Sequence, residues 1–187
     1  MSKKYPDSEL TENFVSGENV FNGTLLHVYK DTVSLPNGNT STREYIRHVG
    51  AVCVVPITDD GCVIVERQYR YPVGQVTLEI PAGKLNSKDE DPEAAIRREL
   101  REETGASAGK LYDLGYFYPA AAYSDEKITM FAAMDLTFGE DDPDDDEFLS
   151  VDRIPIEELV SMILDGKVPD LKTQAAVLRT YLKFCKR

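Results

Sequence analysis

Apolar positions recur along this chain with two different periods, and the changes of period mark out its elements. Val20–Val33 and Glu44–Pro56 have the composition of strands, with the turn former Pro36-Asn37-Gly38-Asn39 between them. Ala51–Pro56 (AVCVVP) and Cys62–Glu66 (CVIVE) flank Asp59-Asp60-Gly61, which predicts a hairpin. Val76–Ile80 alternates, with Val76, Leu78 and Ile80 on one face and Thr77 and Glu79 on the other. From Pro92 to Thr104 the period becomes helical. Asp91 suits the N-cap, Pro92 the first turn and Gly105 the C-terminal stop. Strand patterns return at Lys110–Phe117 and Lys127–Leu136, and helical ones close the chain at Pro155–Asp165 and Leu171–Lys183. This order predicts an α/β (α+β) sandwich, helices over a mixed sheet.

The chain has 187 residues, room for one domain with a proper core, and its 42% hydrophobic and 29% charged residues are those of a soluble protein. No apolar run is long enough to span a bilayer, and Met1–Leu10 lacks the apolar stretch of a secretory signal. Cys53, Cys62 and Cys185 are odd in number and without CxxC spacing. They are expected to be small buried hydrophobes in a reducing cytoplasm. A net charge of −12 argues against nucleic-acid or membrane partners. Residues 139–152 (GEDDPDDDEFLSVD) hold eight acids and no base, the composition of a solvated loop, and lack the sixth-position glycine of an EF-hand. An anionic ligand would need local arginines and a metal ion to bind against this field.

The chemistry concentrates on the Pro92–Thr104 helix. Glu99, Glu102 and Glu103 fall within about 100° of arc and share one face. Like charges this close are destabilising unless neutralised. Arg98 and Arg101 do part of that, and a hard divalent cation is the natural complement. Upstream, Pro81-Ala82-Gly83-Lys84 follows the strand that presents Glu79, and a glycine there lets backbone approach an ion or phosphate. A Glu/Arg-rich helix is ordinarily just a solvated face with pairs such as Glu93–Arg97. The joint pattern argues otherwise.

Arg98-Glu99-Leu100-Arg101-Glu102-Glu103-Thr104-Gly105-Ala106 reproduces the REUxEExGU core of the Nudix box, where U is aliphatic, and Gly83 and Glu90 stand upstream. The chain therefore resembles the Nudix hydrolases. Six residues, Lys84–Asp89, separate Gly83 from Glu90 where the family has five. Glu90 is expected to pair with Arg98, with Asp89 as the alternative. Arg47-His48-Val49-Gly50-Ala51, Glu66-Arg67-Gln68-Tyr69-Arg70, Leu78–Leu85 (LEIPAGKL), Ser124-Asp125-Glu126 and Asp165-Gly166-Lys167…Asp170…Lys172-Thr173 resemble the ADP-ribose pyrophosphatase branch.

That resemblance implies a Nudix-type α/β/α sandwich over residues 49–187, and an N-terminal antiparallel β region, residues 1–48, contributing to a homodimer and to substrate. It implies Mg²⁺, replaceable by Mn²⁺, on Glu99, Glu103 and the Ala82 carbonyl, with Glu102 a further ligand or the residue that orients water. Glu102, Arg98 and Glu147 would form the catalytic set, Glu147 being the candidate base from the acidic loop. Arg67 and Arg70 would meet the diphosphate. Glu79 and Ser124 would also contact substrate, and Arg43 and Glu44 match a pair donated across a swapped dimer. The implied reaction splits ADP-ribose or a related nucleoside diphosphate sugar into a nucleoside monophosphate and a sugar phosphate. Ala121 stands where ADP-ribose enzymes usually carry a proline, so another nucleoside diphosphate derivative is an alternative substrate. A non-catalytic nucleotide-binding module and an acidic interaction domain are the readings from other classes. The stripe of Ala175, Ala176, Leu178 and Leu182 suits packing on its own sheet better than a dimer contact.

Overall fold

Val20–Val33 is two strands rather than one, because the chain reverses at residues 23–26, where the Gly23 amide donates to the Leu26 carbonyl at 2.9 Å. The computed structural model describes residues 6–139 and 148–186. It divides them into two units, Met1–His48 with Ala120–Glu126, and Val49–Pro119 with Lys127–Arg187.

The first unit is an antiparallel sheet of β1 (Asn13–Asn22), β2 (His27–Ser34) and β3 (Thr40–Arg47), in that order. Gly38, at φ +86°, makes the left-handed step between β2 and β3. All ten residues of β1 are exposed, Phe14, Val15, Val20 and Phe21 among them. The return segment Ala120–Glu126 joins this unit at Ile46 and His48. The Ile46 amide donates to the Tyr123 carbonyl at 2.9 Å, and the His48 amide to Asp125 Oδ1 at 2.6 Å.

Glu44–Pro56 is likewise broken, at Gly50 (φ +108°), so that β4 (Ala51–Pro56) starts the second unit. AVCVVP is apolar throughout because both its faces are covered. β4 lies between β7 (Ala82–Lys84), antiparallel to it, and β9 (Ile128–Phe138), parallel to it, and β8 (Ala106–Phe117) completes the sheet as β7-β4-β9-β8. Val52 and Val54 of β4 with Phe131 and Ala133 of β9 pack beneath Ala95, Ile96 and Leu100 of α1 (Pro92–Thr104). The opposite face presents Cys53, Val55, Met130 and Ala132 to α2 (Ile156–Leu164) and α3 (Leu171–Thr180). This is the expected α/β/α sandwich.

A second antiparallel sheet, β10-β5-β6, comprises β5 (Cys62–Arg70), β6 (Gln75–Glu79) and β10 (Leu149–Pro155). Gly61, at φ +81°, closes the hairpin into β5 by donating its amide to the Thr58 carbonyl at 2.9 Å. β10 corrects the expectation of a loop over residues 139–152, since Leu149–Asp152 pair with β5. Leu149 and Val151 do alternate with Ser150 and Asp152, but the pattern breaks at Arg153 and is too short to mark a strand. No helix of the described residues is long and apolar enough to cross a membrane.

Candidate functional site

Helix α1 begins and ends where local chemistry dictates. Asp91 accepts from the Glu93 and Ala94 amides at 3.3 Å each, and Gly105 (φ +66°) donates back to the Arg101 carbonyl at 2.9 Å. Leu100 and Ile96 pin one face of α1 to the sheet, which turns Glu99 and Glu103 toward the β6–β7 turn. Glu103 is only 5% exposed, and its Oε2 accepts from the Ala82 amide at 3.2 Å. The carboxylate of Glu99 occupies the space beside Gly83 that a side chain would fill. A Cβ at residue 83 would lie 2.0–2.4 Å from it.

Arg98 gathers the remaining charge. Its Nη1 lies 2.7 Å from Glu99 Oε1 and 3.2 Å from Glu102 Oε2, and its Nη2 lies 3.6 Å from Glu90 Oε1. Burial works against the charged guanidinium, but Glu99 and Glu102 more than offset it and raise its pKa. Glu90, not Asp89, is thus the residue set against Arg98, and its carboxylate also accepts from the Asn86 amide and side chain. Among the described residues no group of three or more acidic, histidine or cysteine side chains is placed so as to hold a metal ion. What α1 and the 82–83 turn bring together is a set of carboxylate oxygens with a glycine between them.

Glu79 lies on β6, only 2% exposed, and is the most elaborately held carboxylate of the site. Arg70 forks onto it, Nε to Oε1 at 2.8 Å and Nη2 to Oε2 at 2.7 Å. Thr77 donates to Oε1, and Lys172, from the first turn of α3, to Oε2. Burial disfavours its ionisation, yet Arg70 and Lys172 outweigh that and bring its pKa down to about 2. The polar residues of the VTLEI alternation are therefore inside, Thr77 at 7% exposure, while Val76 is 51% exposed. Period alone could not assign that face, because the burial depends on cations that come from elsewhere in the chain.

The other anticipated residues are dispersed. Arg67, three positions from Arg70 on a strand, projects to the opposite face. It lines an open cleft of about 590 Å³ with Asp152, Met162 and Lys167, whose lining includes neither Arg70 nor any box glutamate. Arg43, Glu44 and Ser124 belong to the first unit. There Arg43 pairs with Glu12, Glu44 lies 3.7 Å from Lys30, and Ser124 Oγ accepts from the Glu126 amide at 3.1 Å. Glu147 lies outside the described residues. Asp170, Lys172 and Thr173 received no role from the sequence, although Lys172-Thr173 stood within the resemblance. The structure attaches Lys172 to Glu79 and Thr173 to Ile80, and Asp170 contacts both Lys172 and Thr173.

Comparison with known proteins bears on the family. The family model described as the NUDIX domain matches residues 47–176. An ADP-ribose pyrophosphatase of Bacillus subtilis (strain 168) is 39% identical over 176 residues, 93% of this chain and 95% of that protein. A methanol dehydrogenase activator of Bacillus methanolicus is 38% identical over 168 residues, 89% of this chain and 90% of its own length. Among solved structures, an ADP compounds hydrolase superposes with a TM-score of 0.83 at 25% identity, covering 92% of this chain and 94% of that one.

Proposed function

This chain belongs to the Nudix family, and we propose that it hydrolyses the diphosphate of ADP-ribose or a related nucleoside diphosphate sugar to a nucleoside monophosphate and a sugar phosphate. The observation that carries this reading is the placement of Glu99 against Gly83 and of Glu103 on the Ala82 amide, beside the Arg98-bound Glu102. Glu99, Glu102, Glu103 and the Ala82 carbonyl would hold Mg²⁺, with Mn²⁺ as a substitute. A cation bound there supplies charge neutralisation for the diphosphate and lowers the pKa of water.

Within that frame the chain's own residues divide the work. Arg98 keeps Glu99 and Glu102 together before an ion arrives, and Glu90 anchors Arg98 from behind. Glu102 either ligates or orients the attacking water. Glu147 takes that water's proton, since the acidic run after the box is rich in carboxylates in the sequence. Arg70, held by Glu79, binds the phosphates, whereas Arg67, on the opposite face of β5, is not placed to share that role. Arg43, Glu44 and Ser124 contact substrate from the N-terminal β region, which we place at a homodimer contact. The exposed Phe14, Val15, Val20 and Phe21 of β1 support that placement. Three free thiols favour the cytoplasm. Ala121 lies in the turn where the Ala120 carbonyl accepts the Tyr123 and Ser124 amides, and its lack of a proline side chain favours a broad sugar range.

Purified protein with Mg²⁺, offered ADP-ribose, other sugar nucleotides, NADH, dinucleoside polyphosphates and oxidised nucleotides, should release a nucleoside monophosphate from at least one sugar nucleotide. Chelation should stop the reaction, and Glu102→Gln should remove it without unfolding the protein. Inertness toward every diphosphate would refute the enzymatic reading.

A further inference from the structure

Glu79 is saturated with donors from two directions. Arg70 and Thr77 approach from the β5–β6 hairpin, and Lys172 reaches it from α3, 93 residues along the chain. Lys172 is itself only 11% exposed and lies 3.2 Å from Asp170. Asp170 caps α3 by accepting from the Thr173 amide at 2.9 Å and hydroxyl at 2.6 Å, and the same hydroxyl accepts from the Ile80 amide at 3.0 Å. The first turn of α3 therefore grips the end of β6 at two adjacent points, the Glu79 carboxylate and the Ile80 backbone. The residues that follow are Pro81, Ala82 and Gly83, on which the box glutamates rest.

Charge makes this grip more than a fastening. Arg70, Glu79, Lys172 and Asp170 alternate in sign and sum to zero. Without Lys172 the group would carry a net negative charge beside an anionic substrate. Glu79 would then have Arg70 as its sole cation in the group, and its charge would be spent on the guanidinium alone.

Resting on the diphosphate role proposed for Arg70, we propose that Lys172 is a positioning residue for substrate binding: by sharing Glu79 with Arg70, it holds the guanidinium fork in place and leaves its positive charge available to the diphosphate. Lys172 touches no reacting atom, so its contribution falls on ground-state affinity more than on the chemical step.

The test is a double-mutant cycle between Lys172 and Arg70. Lys172→Met and Lys172→Gln are each made in the wild-type and Arg70→Ala backgrounds, with Lys172→Arg as the charge-conserving control. The readouts are KM, kcat, ADP-ribose affinity by calorimetry in chelator, and thermal unfolding. In the wild-type background both neutral variants should weaken affinity and raise KM roughly tenfold, with kcat changed by no more than about twofold. Lys172→Arg should retain most of the affinity. In the Arg70→Ala background the neutral variants should add little. Equal losses in both backgrounds would assign Lys172 a general structural role and overturn the proposal, as would unchanged affinity or a loss confined to kcat. Lys172→Gln, nearer in polarity, keeps the test decisive if Lys172→Met fails to fold. Failure of both neutral variants to fold would also overturn it. A wild-type protein inert toward all sugar nucleotides would refute the proposed reaction itself, whereas an active wild type with additive losses would refute only the assignment of Lys172.

Discussion

Replacing Gly83 with alanine separates the packing of the site from its chemistry. The added methyl would sit 2.0 Å from Glu99 Cδ and 2.2 and 2.4 Å from its two carboxylate oxygens, so one partner must move. Gly83 is not among the positive-φ glycines, and alanine therefore brings no backbone strain. The obstructing atoms are the far end of a flexible side chain, whose displacement costs about 0.5–1.5 kcal/mol. For a chain of this length that corresponds to a fall in Tm of roughly 1–6 °C. The functional cost should be much larger, because a misplacement of about 1 Å in a reacting assembly lowers rates by roughly 100-fold. Titrating hydrolysis with Mg²⁺, alongside thermal unfolding, reads both quantities. The half-saturating Mg²⁺ concentration should rise at least about tenfold, and kcat should fall by roughly 10–100-fold. Glu99→Asp in the Gly83→Ala background, which withdraws the carboxylate by one methylene, should recover part of the metal affinity. Wild-type metal dependence in Gly83→Ala would refute the placement of Glu99 as a ligand. A Tm loss much greater than about 10 °C would refute the claim that only a side chain is displaced.

Three further outcomes follow from the same geometry. Glu90→Ala should lower kcat several-fold by freeing Arg98, whereas Asp89→Ala should leave the kinetics unchanged; the reverse ranking would return the anchoring role to Asp89. Glu79, whose folded pKa lies at about 2 against an ordinary 4.5, contributes stability that is fully present above about pH 5 and lost as pH falls toward 2. The difference in unfolding free energy between wild type and Glu79→Gln should shrink by about 2–3 kcal/mol over that window, and a pH-independent difference would contradict the assignment. Asp91→Ala removes the α1 cap and should cost about 1 kcal/mol, read as a Tm lower by roughly 2–4 °C with activity retained at 25 °C.

What could be read from the amino-acid order alone is what local chemistry decides. Asp91, Pro92 and Gly105 delimit α1 through backbone groups within a few residues of each, and the helical period then forces Glu99, Glu102 and Glu103 onto one face. The box spacing that carried the family resemblance is local in the same sense. So is the hairpin at Gly61, because φ near +80° favours glycine whatever surrounds it.

Tertiary structure decided the rest, wherever the energetic partner lies far along the chain. Thr77 and Glu79 are the buried side of β6 because Arg70 and Lys172 satisfy the carboxylate there, and no alternation of polarity encodes a partner 93 residues away. Leu149–Asp152 form a strand because β5 offers an unpaired edge, despite the acidic run that precedes them. The choice of Glu90 over Asp89 is a matter of loop geometry, in which the extra residue is accommodated without moving the anchor of Arg98. The return of Ala120–Glu126 to the N-terminal strands rests on backbone hydrogen bonds at Ile46 and on the Asp125 carboxylate that accepts from the His48 amide, partners 77 residues apart that no local pattern pairs.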